Sequence, residues 1–538
     1  MARQNLRSGP WKGVLDSPDP FDDATAPEFL QDAQNIYFTD GEKPSGACAR
    51  PGLVTSTAAI LTTTAGQAAC AFTMTSLGGT IYRFFATNGK LYRLSGTGYT
   101  TATDVTPTGV TITTAASPAG RIYMASFADE LIFTDGTVRP WRGTNLAATP
   151  ITGTYIDIDG AAGAWTAQGP PVVYTGALFF IAKSVPGGSS VEAGVGLVWS
   201  EPFQPDVGYV QTGYANFWNL IQQSADPLYC LWATNSYLYY FRENSIGALA
   251  GAPNVNFSST ASADMVAVGV GCAAPASIIQ FGDTIYFVDS VGRQWSYTEG
   301  GELKPIYKQL EGQIAANPAF LSYPAVVAQV AISVVVPQLN VVLMGGWSSS
   351  PTASPPLAPT TLYCFDGLTG MYFGRWSAAA ASGVTTFDAL AQMKDAAGSP
   401  IVVAYTTGTS MKINLLSLLS ANVWTDNTIL PTISVQTQRL GYSADNVWNA
   451  TDVGVVISET AAPLTITVKT PYTSATTEAT AMAANSSQDG TYRVAFGMDV
   501  VQARGIQVTI TPTTATSQWV CQHVTFPASP SKAGPVDQ

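Results

Sequence analysis

Histidine is almost missing from this chain: its 538 residues hold one, His523. A Ser–His–Asp or Cys–His relay would have to be built on that residue. It sits in the run Val520 to Val524, inside a segment that reads as a strand, with no nucleophile elbow beside it. An ordinary strand histidine is the plainer reading. Charge is scarce as well. Asp, Glu, Lys and Arg supply 11% of the residues, against about 25% in an average soluble domain. Thr, Ser, Ala, Gly and Pro take their place. They give a neutral polar surface suited to wide contacts between subunits, although β-rich virion and extracellular proteins share that texture. The net charge of −12 excludes sequence-reading of nucleic acid, which needs a basic face. Only Arg3, Arg7 and Lys12 make a short segment locally basic.

The six cysteines (Cys48, Cys70, Cys230, Cys272, Cys364, Cys521) form no C-x-x-C pair, which excludes a zinc ribbon or a redox motif. Buried free thiols are expected. No apolar run follows the charges of the first residues, so no secretory leader is expected. The sequons at Asn256, Asn449 and Asn485 then carry little meaning. The uncharged stretch 323–347 is broken by Pro337 to Asn340 with β-branched runs on either side. It reads as two buried strands around a turn and not as a membrane span.

Helix-period segments are nearly absent too, with Thr386 to Lys394 as the best short candidate. What the chain has instead is a recurring hairpin: a strand, a tight turn, and a second strand ending in an aromatic. It returns at Thr80–Leu94, Arg121–Phe133, Ala177–Trp199, Leu228–Phe241, Thr284–Tyr297, Leu339–Trp376 and Ile401–Leu415. A repeat every ~40 to 60 residues is close to a propeller blade period, and one such unit cannot bury its apolar face alone. The fold class expected is all-β: a β-propeller of about six to eight blades, with seven the central expectation. The Gly/Ser/Pro-rich insertions near 183–196 and 348–360 should project from one face. Residues 1–52, punctuated by Pro10, Pro18, Pro20 and Pro27, read as an extended N-terminal arm. The propeller spans 53–427. Six period-two segments between 433 and 526 make 428–527 a C-terminal β-sandwich, and 528–538 reads as a flexible tail.

No set of residues earns a catalytic, cofactor-binding or metal-binding role. Asp157 and Asp159 with Gly160 give a fragment of a calcium loop that lacks the later ligands. Asp19, Asp22 and Asp23 read as a solvated acidic run. The glycine pairs Gly194/Gly196 and Gly269/Gly271 precede no helix and no phosphate-binding lysine. Glu201, Asp206, Asp226 and Glu243 lie near hairpin ends and could line a pocket, yet spacing selects no two of them as a glycosidase pair. The segment Asp289 to Trp295 does not match the Asp-box spacing of sialidase-like propellers. The aromatics read as blade core more readily than as a sugar platform. A non-enzymatic protein without cofactor is expected.

Trp11 to Gly13, Asn35 in a short strand, Gly41 after a turn, and Arg50, Pro51 and Gly52 leading into the repeats resemble the start of the tail nozzle proteins of short-tailed bacteriophages. These are also described as packaged-DNA stabilisation or head-completion proteins. Pro463 to Lys469 and Ala503 to Val508 resemble the strands that close that family's chain. The resemblance implies a virion structural protein in the tail, forming a homo-oligomeric ring, usually a hexamer, below the portal and adaptor. Tail fibre or tip proteins would lie beyond it, double-stranded DNA would pass through its lumen without sequence-specific binding, and nothing would enter a membrane. An acidic lumen would repel phosphate and let DNA slide. Two other readings stay open: a receptor- or carbohydrate-binding virion module, and a propeller glycosidase or lyase acting on surface polysaccharide.

Overall fold

The computed structural model describes residues 4–8, 11, 13–14, 29–39, 46–55, 69–96, 99, 101–114, 121–157, 165–186, 191–204, 216–220, 226–254, 256–310, 331–346, 359–378, 386–395, 398–407, 412–416, 433–437, 446–450, 452–458, 464–470, 473–478, 490–495, 501–503, 507–512 and 520–532. Among them, antiparallel four-strand meanders follow one another along the chain. Sheet I covers 69–104, sheet II 123–155, sheet III 166–219, sheet IV 228–268 and sheet V 279–304. Sheet VI, 333–376, is a four-strand run inside a ten-stranded sheet, and sheet VII joins 386–416 to the N-terminal strand Leu53–Thr55.

The second strand of each meander shows why the repeats must stack. In Glu130–Thr134, Leu131 and Phe133 pack with sheet I while Ile132 packs with sheet III. In Ala177–Ser184, Leu178 and Phe180 face sheet II while Phe179 and Ile181 face sheet IV. Alternate side chains of a strand point to opposite faces, so a strand apolar at every position needs a neighbour on both sides. The core is accordingly a series of wedges between consecutive sheets. The wedge between VII and I, built on Phe85, Tyr99, Met393 and Val403, closes the circle. The first strand of sheet I touches the first strands of both II and VII. Arg83 Nε donates to Lys394 O at 2.6 Å and the Tyr99 hydroxyl to the same oxygen at 2.9 Å, sealing that joint. The fold is a β-propeller.

Turns carry the chemistry their geometry demands. Asn88 and Gly89 take φ 46° and 74° between the second and third strands of sheet I, a turn closed by residues that tolerate the left-handed region. The Pro337–Leu339 turn, expected from the sequence, lies between the strands Ser333–Val336 and Val341–Gly346.

Three sequence expectations change. Thr386–Lys394 is a strand, the first of sheet VII, and not a helix. A register shift between Phe387 and Ala389 breaks its alternation, and the buried set Phe387, Asp388, Ala389 and Met393 mimics a helical spacing. The last strand, Val520–Lys532, runs past 527, so 528–532, expected in a flexible tail, pair with Gln4 and with Asn446–Ala450. The first 52 residues, read as an arm, include five strands, three of which pair with other parts of the fold: Gln4–Ser8, Phe29–Gln34 and Gly46–Ala49. The remaining C-terminal strands divide between two sheets. One is eight-stranded and includes Asp452–Ser458 and Gly490–Ala495; the other is the ten-stranded sheet, with Ser434–Thr437, Gln507–Pro512 and Leu464–Thr470.

Candidate functional site

Two constellations of buried polar side chains stand out. The first lies where the N-terminal segment crosses the outer strand of sheet VI. Asn35, fully buried, sits at φ 55° between the strands Phe29–Gln34 and Ile36–Thr39. Asparagine tolerates that left-handed conformation, and it turns the chain out of the ten-stranded sheet into the eight-stranded one. Its Oδ1 accepts from Arg50 Nε at 2.9 Å and from the Ser377 amide at 2.8 Å. Arg50, 2% exposed, also donates to Pro51 O and to Ser377 O, each at 2.8 Å. Trp376 Nε1 donates to Ile36 O at 2.6 Å, and Arg375 pairs with Asp32 at 3.1 Å. Asn35, Arg50 and Pro51 are residues of the resemblance, so its N-terminal signature is a junction that locks one segment onto a blade. Beneath Arg50 lies an apolar cavity of about 20 Å³ lined by Leu53, Trp376, Phe387 and Val402. That holds about one water and no cofactor or sugar.

The second constellation lies at one end of the propeller axis. A meander alternates ends, so the first strands begin at the end that also carries the second-to-third-strand turns and the connections between sheets. There, Tyr123 is within electrostatic reach of Arg121, of Cys70 on sheet I, and of Cys230 and Cys272 on the far side. Arg121 Nη2 makes a 3.3 Å contact to Asp388 O of sheet VII. Burial pushes the Cys70 and Cys272 thiols up to about 12 and lowers the Arg121 pKa, while neighbouring Tyr123, Cys70 and Asp388 oppose that fall. These side chains come from sheets I, II, IV and VII and from the connection between IV and V, and they converge at this end of the axis.

Of the described acidic residues singled out in the sequence, Asp226 and Glu243 lie on adjoining segments, the Glu243 amide donating to Pro227 O at 3.1 Å, while Glu201 follows a strand of sheet III and Asp157 follows sheet II. Asp226 is buried; its carboxylate accepts from the Asn244 amide at 2.9 Å and from Ser245 Oγ at 2.7 Å, tying the connection before sheet IV to a turn within it. Glu201 accepts from Asn216 at 3.2 Å, and Asp157 pairs with Arg139. Asp206, Asp159, Asp19, Asp22 and Asp23 lie outside the described residues. His523 occupies the last strand opposite Val456. Gly194 and Gly269, at φ 79° and 85°, are turn glycines; a Cβ on Gly196 or Gly271 would strike backbone at 2.7 and 2.1 Å. Among the described residues no group of three or more His, Cys, Asp or Glu could hold a metal ion, and no helix is long and apolar enough to cross a membrane.

Asp135, read from the sequence with Gly136 as a tight turn, and Asp289 lock turns with their carboxylates. Asp289 accepts from the Val291 and Arg293 amides at 3.0 and 2.8 Å, and from Arg293 Nε and Trp295 Nε1. Asp135 accepts from the amides of Val138, Thr137 and Thr113, the last on the connection from sheet I; burial nevertheless raises its pKa. An Asp followed by turn residues was the available signal. At the opposite end of the propeller, Leu77, Phe203 and Leu368 are 91%, 75% and 72% exposed on hairpin tips. Phe203, at φ 58°, is a bulky residue in a conformation usually taken by glycine. Its amide donates to Gly176 O at 2.8 Å, and its ring lies where a Cβ on Gly176 would be 2.9 Å away.

The chain matches no protein-family model and no curated protein. Among solved structures it is similar to BBS1N in its complex with ARL6DN, at 10% identity and a TM-score of 0.42 over 69% of this chain and 99% of that one. It is similar to Raptor from Chaetomium thermophilum at 8% identity and a TM-score of 0.41, over 71% and 30%. It is also similar to the extracellular domain of the putative one component system BT4673 from B. thetaiotaomicron, at 10% and 0.43, over 94% and 62%.

Proposed function

We propose that this chain is a non-enzymatic virion component that forms a ring in the tail of a short-tailed phage, through which packaged DNA is held and later released. Seven blades, portal or adaptor and distal tail partners, and localisation to the virion tail belong to the same proposal. The observation that carries it is the junction at Asn35 and Arg50. Asn35 and Arg50, two of the residues that resemble the nozzle family, are buried, hydrogen-bonded in several directions, and spent on joining the N-terminal segment to sheet VI. Buried polar groups that are fully engaged specify a structure; here they serve construction. Side chains of four sheets converge at one end of the axis, so in this reading the conduit runs between subunits and not through a propeller.

In coarser terms the protein is a β-propeller interaction module, and the exposed Phe203, Leu77 and Leu368 favour contact with partner proteins at that end. Purified tails digested for peptide mass spectrometry should contain this chain in a fixed ratio to the portal. Finding it only in host fractions, or finding that the isolated protein turns over capsule polysaccharide, would remove the proposal. Phe203→Ser should leave the unfolding midpoint within about 0.5 kcal/mol of the parent while lowering incorporation into tails. Unchanged incorporation would separate Phe203 from assembly.

A further inference from the structure

The N-terminal segment gives strands to three different sheets, and each is a structural seam. Gln4–Ser8 pairs antiparallel with the last strand, from Gln4 opposite Ala528 to Ser8 opposite Val524. The hairpin Ile36–Thr39 and Gly46–Ala49 meets that same strand at Cys48 opposite Val520. Phe29–Gln34 lies between the outer strand of sheet VI, at Gln34 opposite Arg375, and the C-terminal strand Ser434–Thr437. It is the strand through which sheet VI continues into the C-terminal strands. Leu53–Thr55 then completes sheet VII beside Lys412–Leu416. Between the second and last of these seams, the chain passes through Asn35 and Arg50, the two centres of the buried junction.

We propose that the strands and turns within 4–8, 29–39 and 46–55 act as a coupling strap that makes closure of the propeller and order in the C-terminal sheets one thermodynamic event. Three observations carry this. Arg50 lies three residues before Leu53, so the group anchoring the strap to Ser377 also sets the position of the strand that closes sheet VII. Gly374, at φ 119°, brings the sheet VI edge so close to the strap that a Cβ would lie 2.6 Å from Ala33 O. The same apolar cluster contains Leu30, Ile36 and Leu53 of the strap, Phe387 and Val402 of sheet VII, and Ile433, Val508 and Val524 of the C-terminal sheets. Contacts within one packed network are not additive, and local opening in a cooperative unit involves all of its parts. A partner or load that orders or strains the C-terminal sheets would then be felt at the seam between sheets VII and I. The inference concerns the single chain and stands apart from its place in a virion.

Amide hydrogen exchange of the full chain tests it with Asn35→Gly, which keeps the left-handed backbone accessible and deletes the Oδ1 acceptor. Exchange should accelerate at least tenfold both in 53–55 and 412–416 and in 434–437, 507–512 and 520–524. Strands of sheets II and III, such as 131–133 and 178–181, whose side chains lie outside that cluster, should stay protected. Acceleration confined to 33–37 and 375–377, or equal acceleration in every sheet, would overturn the coupling. Should Asn35→Gly fail to fold, Asp32→Asn, which loosens only the half-exposed clasp to Arg375, should give the same two-region pattern at smaller amplitude. A purely local response in that variant would overturn it equally.

Discussion

Arg50 donates toward three oxygens from three separate nitrogens, Nε, Nη1 and Nη2, a spread that a planar guanidinium provides and the single nitrogen of an ammonium does not. Arg50→Ala leaves buried carbonyls without a donor and should cost about 3 kcal/mol in urea unfolding, with Arg50→Lys restoring only part. A loss below about 0.5 kcal/mol, the size of an ordinary surface change, would mean the junction is not structural. The thiols make a second residue-scale statement. Cys70 and Cys272 are pushed by burial from 9.0 to about 12, so between those values the unfolded chain loses protons that the folded chain keeps. The stability they contribute is fully present below about pH 9 and is lost as pH rises through about 12. The urea midpoint should therefore fall between pH 8 and 11, and Cys272→Ser should flatten the fall. A midpoint that holds steady across that range would contradict the burial of these thiols.

At the scale of strands, sequence periodicity found the right objects and sometimes the wrong member of each. The recurring hairpin starts on the second strand in sheets I, III, V, VI and VII but on the first strand in II and IV. Second strands are apolar at nearly every position because both faces are covered, as Ala177–Ser184 and Leu238–Arg242 show, and such runs are legible. Outer strands such as Thr101–Asp104 and Thr152–Tyr155 are short, polar and half exposed, so nothing in their composition separates them from loops. The junction was half legible. Arg50 and Asn35 were visible as a motif, but their partner Ser377 lies more than three hundred residues away, a distance no local pattern spans. The strap makes an element-scale prediction of its own. Gly374→Ala meets a φ of 119° and the Ala33 carbonyl together, and should destabilise by about 2 to 4 kcal/mol. By contrast, Gly300→Ala, in an open turn with nothing within 4 Å of its Cβ, should cost about 1 kcal/mol for its positive φ alone. Equal losses in the two variants would show that the strap does not press on that edge.

For the whole molecule, the low charge bears on how copies would assemble. In the proposed ring the conduit lies between subunits, so the sign of charge along that shared lumen would decide whether a duplex slides or sticks. With a net charge of −12, the lumen of an assembled ring should be acidic, and raising salt should change DNA retention little; a basic lumen would contradict this. The central claim is a tail ring built from this chain, and its most direct measurement is a reconstruction of the phage particle along its tail axis. The account predicts six copies in a closed ring below the portal, each propeller axis set off from the channel, with DNA density between subunits. Density for this chain away from the axis, or a duplex threaded through a single propeller, would contradict it.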